Sequence, residues 1–102
     1  MKQVIEGKVY NTETADQLAS ATSGGSTSDF GYWRENFYRT KSGAYFIAGI
    51  GGPMSSWAEK CGQNSWTGGS GIRAITEAEA KEWVEKYSND DYETIFGATE
   101  EA

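Results

Sequence analysis

Cys61 is the single thiol of this chain and His is absent. The residue types that usually make a nucleophile and its base are thus reduced to one sulfur with no imidazole beside it. Ser-His and Cys-His pairs are excluded, and any zinc site loses its commonest nitrogen ligand. Ser56 and Glu59 have capping-box spacing, which predicts a short helix bearing Trp57, Ala58 and Cys61 and ending at Gly62. Cys61 would then lie at the carboxyl end of that helix, where the dipole opposes a thiolate, and it reads as a buried structural thiol. Gly49, Gly51 and Gly52 could cradle a phosphate ahead of the same helix. Neither GxxxxGK[ST] nor GxGxxG is present, however, and Gly52-Pro53 serves equally as a strand exit. Carboxylates are numerous enough for a general acid and base, or for a divalent cation at Asp90, Asp91 and Glu93. Catalysis by paired acids requires burial or a neighbour to separate their pKa values, and EF-hand spacing is lacking. The expected state of these acids is solvated, with no cofactor and no metal.

The acids are informative through their distribution instead. The formal charge is -6. From Met1 to Thr76 there are seven Lys or Arg and six acids, a net of +1; from Glu77 to Ala102 there are nine acids and two lysines, a net of -7. Phosphate binding is driven by Lys and Arg replacing condensed counterions, so this region repels nucleic acid and attracts proteins that themselves bind nucleic acid. A plain solvated helix face is the more frequent reason for such a charge run.

These side chains need elements to position them. Lys2 to Tyr10 reads as a hairpin around Glu6-Gly7. Asn11 and Thr12 predict a cap for a short helix, with Ala15, Leu18 and Ala19 at i, i+3 and i+4. Ser20 to Gly31 is a loop by composition. Tyr32 to Thr40 alternates as a strand, with Trp33, Glu35, Phe37 and Arg39 on one face; Lys41-Ser42-Gly43 turns it, and Ala44 to Ala48 returns. This hairpin is expected at the centre of the sheet, broken after Ala48 by Gly49 to Pro53. The loop Gln63 to Gly71 exposes Trp66, and a strand Gly71 to Ile75 follows. Thr76 and Glu79 form a second capping box for a helix Glu77 to Tyr87, buried along Ala80, Trp83, Val84 and Tyr87. Glu77, Glu82 and Glu85 face outward, with Lys81 and Lys86 at pairing distance. Ser88 to Asp90 caps a last turn or two carrying Tyr92, Ile95 and Phe96, which Gly97 stops; residues 98–102 are a frayed tail. Trp33, Phe37, Phe46, Trp57 and Trp83 are the candidate core. Trp66 and Tyr32 lie in or beside Gly/Ser-rich loops with no period to bury them, as interface anchors do.

Three strings carry a resemblance: YRTKSGAYF at 38–46, GGPMSSWAEKCG at 51–62 and ITEAEAKEWVEKY at 75–87, with GKVYNTETA at 7–15 before them. In these the chain resembles small proteins encoded on phages, plasmids and conjugative elements of Gram-positive gut bacteria, some of which look like anti-CRISPR or other anti-defence proteins. The resemblance implies a non-enzymatic inhibitor that binds a CRISPR effector nuclease, type II favoured, or another nucleic-acid-binding defence protein of the host. It implies no catalytic residues. Such a nuclease holds guide and target in cationic channels, so carboxylates can occupy its Arg and Lys side chains and block DNA binding or cleavage by mimicry. The residues expected to do so are Glu77, Glu79, Glu82, Glu85, Asp90, Asp91 and Glu93, with Trp66 or Tyr32 as apolar anchors.

The fold expected from these elements is α+β in one domain: an antiparallel sheet of about four strands around the central hairpin, packed by the amphipathic C-terminal helix and two short helices. The start MKQVIEGKVY has no apolar run to mark export and no stretch is long enough to span a bilayer, which points to the cytoplasm of a bacterial host cell. Two other functions remain open at this level. One is an interaction module for a different host target, homodimeric through an exposed edge of the central hairpin. The other is a carboxylate-based or metal-dependent hydrolase, which requires buried acids.

Overall fold

The computed structural model describes residues 1–26, 28–63 and 65–102; Thr27 and Asn64, in the loops expected at 20–31 and 63–71, lie outside the described residues. Eight strands precede two helices: β1 (Lys2–Ile5), β2 (Lys8–Asn11), β3 (Asp16–Thr22), β4 (Trp33–Arg39), β5 (Tyr45–Gly51), β6 (Glu59–Lys60), β7 (Trp66–Thr67), β8 (Gly69–Ile75), α1 (Glu77–Tyr87) and, after a 3-10 turn at Asn89–Asp91, α2 (Tyr92–Phe96). The architecture is α+β, with a four-stranded antiparallel sheet in the order β3-β4-β5-β8.

The sheet is sandwiched. Alternation along β4 sends Phe37 to one face and Tyr38 to the other. On the first face Phe37 and Ile47 pack under Ala80, Trp83 and Val84 of α1, with Trp57 beside them. On the second, Tyr38, Phe46, Ala48 and Ile72 are covered by Tyr10 and Ile5 of the β1–β2 hairpin. That hairpin turns on Glu6 and Gly7, both in the left-handed region, as the twist of a two-residue turn demands. Helix α1 starts and ends where its capping residues predict: Thr76 Oγ1 accepts from the Glu79 amide at 3.1 Å and Glu79 Oε1 accepts from the Thr76 amide at 3.0 Å. Gly97, at φ 101°, closes α2 by donating to the Glu93 carbonyl.

Four expectations are corrected. The region of Ala15, Leu18 and Ala19 is strand rather than helix from Asp16 onward; the Asn11 side chain accepts from the Glu13 amide and stops after one turn. A bulge between Gln17 and Ala19 puts the successive residues Leu18 and Ala19 on the same apolar cluster, while Ala15 packs in the cluster on the other face of the sheet. No helix forms at 56–61 either, because Glu59 and Lys60 pair with Thr67 and Trp66. Ser55, not Ser56, organises this segment: its hydroxyl donates to the Gly52 carbonyl at 2.7 Å and accepts from the Trp57 amide at 3.2 Å. Gly49 and Gly51 do not break the ladder but remain in β5, paired with Gly71 and Gly69. A Cβ on Gly49 would overlap the Trp57 indole, so the glycine is there to seat that ring. Finally, the central hairpin offers no edge for dimerisation, since β3 and β8 flank it on both sides.

Candidate interaction surface

The seven acids singled out from the sequence are all exposed. Their carboxylates are not equally available. Glu77 pairs with Lys81 at 3.2 Å, four residues on. The hydrogen bond and charge of Glu77 raise the Lys81 pKa. The contribution of this pair to stability is therefore present below the ordinary lysine range and is lost as pH rises through the raised pKa. Glu79 is engaged in its capping box. Asp91 accepts from the Ser88 hydroxyl, and Glu93 from the Thr99 hydroxyl at 2.7 Å. Among the described residues, Glu82, Glu85 and Asp90 have neither an ion pair nor a side-chain hydrogen bond within the chain.

The helix divides these acids between two hollows. Glu79 and Glu82 border an open cleft of about 330 Å³ whose other walls include Glu35, Arg73, Trp83, Lys86 and Tyr87. Glu85 and Glu93 border another of about 350 Å³ with Asn89 and Tyr92. The face is consequently mixed: Lys81 and Lys86 interrupt the acids, and the Lys86 ammonium lies 5.1 Å from the Tyr87 ring centre. The pairing expected between Glu82 and Lys86 is not made; within α1 only Glu77 and Lys81 bond.

Trp66 is 56% exposed but lies on strand β7 rather than in a loop, whereas Tyr32 is half-buried. Tyr32 acts through its carbonyl, which accepts from the Gly52 amide at 2.7 Å. That bond and one from the Met54 amide to the Phe30 carbonyl (2.8 Å) tie the loop before β4 to the loop after β5. Like Val4 and Val9 on the N-terminal hairpin, Phe30 and Met54, 68% and 76% exposed, are apolar residues not singled out from the sequence. The signal that could have found them is the one that singled out Trp66: a large side chain among glycines and serines with no period to bury it. Phe30, Tyr32, Pro53 and Thr67 line a groove of about 390 Å³ at this end of the sheet.

Cys61 corrects another expectation. It is exposed rather than buried, and it follows a strand rather than ending a helix. Its amide donates to the Ser65 carbonyl at 3.1 Å, closing the β6–β7 turn. Asp90, Asp91 and Glu93 form no cation-binding group, and among the described residues no set of three or more Cys, Asp or Glu is placed to hold a metal ion. No helix among them is long and apolar enough to cross a membrane.

Glu35 is the polar centre of the helix face and was not anticipated. Its two carboxylate oxygens accept the indole N–H groups of Trp57 and Trp83, each at 2.8 Å. Arg73 stacks on the opposite partner, its guanidinium 3.8 Å from the Trp57 ring centre and hydrogen-bonded to Ser56.

Compared with protein-family models, with curated proteins and with solved structures, the chain matches none.

Proposed function

We propose that this protein is a stoichiometric, non-enzymatic inhibitor of the anti-CRISPR type, acting in the bacterial cytoplasm on a CRISPR effector nuclease, with type II favoured. The observation that carries this reading is the state of Glu82, Glu85 and Asp90: exposed, and without any internal cation to neutralise them. Glu82 and Glu85, three apart on α1, lie about 5–6 Å apart, of the same order as the spacing of charges along a nucleic-acid strand. Carboxylates at that spacing meet the Arg and Lys side chains of a DNA channel where phosphates would. The class of target comes from the resemblance read in the motif strings alone, and the acids would supply the means of holding it.

The test is a titration of an effector–guide complex with the purified protein, with target-DNA binding and cleavage followed in parallel. A one-to-one complex that no longer binds DNA is the expected result. Failure to form any complex with effectors of several types would overturn the reading.

A second reading rests on a different observation, the exposed side chains of Phe30 and Met54, which sit on two loops joined by a backbone hydrogen bond. Large apolar side chains exposed on neighbouring loops are typical of protein-binding surfaces. An interaction module using those loops would bind another host protein with little sensitivity to salt, whereas the acidic face predicts steep salt dependence.

A further inference from the structure

The two edges of the sheet are treated differently. At β8 the outward amide of Ile72 is taken by Gln3 Oε1 at 3.3 Å, so the N-terminal hairpin covers that edge. At β3 nothing comparable occurs among the described residues. The Ser23 amide donates to the Trp33 carbonyl at 3.0 Å, and antiparallel neighbours alternate between bonded and non-bonded pairs. Ala21 opposite Glu35 and Ala19 opposite Phe37 therefore direct their backbone groups at β4. Ser20 and Thr22 direct theirs outward. Among the described residues, no backbone hydrogen bond is made by Ser20 or Thr22 outside the β3–β4 ladder.

We propose that the outward edge of β3 pairs with the same edge of a second copy, antiparallel about a two-fold axis at Ala21. In this register Ser20 lies opposite Thr22 of the second copy and Thr22 opposite its Ser20, which satisfies both N–H and both C=O groups on each side. Ala21 meets its equivalent on the axis, and its small side chain lets the strands approach. No charged residue occurs in 19–23, so no like charges meet across the seam. The nearest one, Asp16, is neutralised by Lys41 at 3.0 Å. The devices that usually protect an edge, proline or an outward lysine, are absent from 19–22. The bulge at Leu18 confines pairing to the stretch after it. A two-fold axis perpendicular to the sheet leaves both α1 helices on one side of an eight-stranded sheet, so two acidic faces lie side by side. Each copy carries -6, and their repulsion makes the dimer tighten as salt rises.

Sedimentation equilibrium over a wide protein concentration range, at low and high salt, tests this. The expected mass rises from the 11.1 kDa of one chain to twice that value, at lower concentration when salt is high. Ser20→Pro removes an outward N–H that β4 does not use, so the substituted chain should stay folded by circular dichroism and sediment as one chain. As a second measurement on the unaltered protein, exchange of the Ser20 and Thr22 amides should slow as concentration rises. A single-chain mass throughout, a dimer that persists in folded Ser20→Pro, or concentration-independent exchange at both amides would each overturn the proposal.

Discussion

Glu35 and Trp83, 48 residues apart, are joined by a 2.8 Å hydrogen bond from the indole nitrogen to Oε1, while Oε2 of the same carboxylate holds Trp57. One acid thus ties β4 to α1 and to the segment between β5 and β6. Glu35→Gln keeps the shape but leaves an amide N–H₂ facing one of the two indole donors. The expected cost is about 1–3 kcal/mol, the usual penalty for an unsatisfied buried donor. Urea unfolding followed by tryptophan fluorescence reads it directly, and an unchanged midpoint would remove Glu35 from its central place in the core.

Gly49→Ala should destabilise through a different cause. The added methyl overlaps the Trp57 ring, which is fixed on its other side by Arg73 and at its nitrogen by Glu35. Overpacking of this kind costs about 1–3 kcal/mol. Thermal unfolding checks it; Gly71→Ala, which meets the same ring only at ordinary contact distance, is the control expected to cost less.

The hairpin turn offers a gain. Glu6 holds φ 51° without the glycine or asparagine that this conformation favours. Glu6→Asn should stabilise the protein by about 0.5–1 kcal/mol, in the range typical of turn optimisation. A lower melting temperature would contradict the assignment of this turn.

Thr76→Ala removes one half of the capping box and frees the Glu79 amide. The expected loss is about 1 kcal/mol, with the decrease in helical signal confined to the first turn of α1. Amide exchange at Glu77 to Ala80 resolves this from a global loss of stability.

Much of this frame was legible in the residues. The β4–β5 hairpin and α1 come from strong, unmixed periods and are both present, although β5 runs on to Gly51 instead of breaking after Ala48 and Tyr87 is exposed at the end of the α1 stripe. The spacing of Ala15, Leu18 and Ala19 misled, because a bulged strand places the successive side chains Leu18 and Ala19 on one face as a helix would, whereas Ala15 packs on the other face. The pair Ser56 and Glu59 failed for lack of length: a box without a following apolar run specifies no helix, and cross-strand pairing with Trp66 and Thr67 prevailed. Glu35 could have been noticed, since a carboxylate alternating with Trp33 and Phe37 on a core-facing strand must find donors. Which donors was beyond the sequence, because Trp57 and Trp83 reach it only through tertiary folding. The acids were legible as a group, but their division into engaged and free carboxylates depends on local partners such as Thr76, Ser88 and Thr99.

The most direct measurement of the proposed function is the affinity of the Glu82→Lys, Glu85→Lys double variant for the effector complex, beside the unaltered protein and at several salt concentrations. Both residues are exposed and, among the described residues, their carboxylates make no ion pair or hydrogen bond, so the fold should be retained. The account predicts that binding and inhibition are abolished and that the steep salt dependence goes with them. Undiminished inhibition by the folded double variant would contradict it and transfer attention to the exposed loops of Phe30 and Met54.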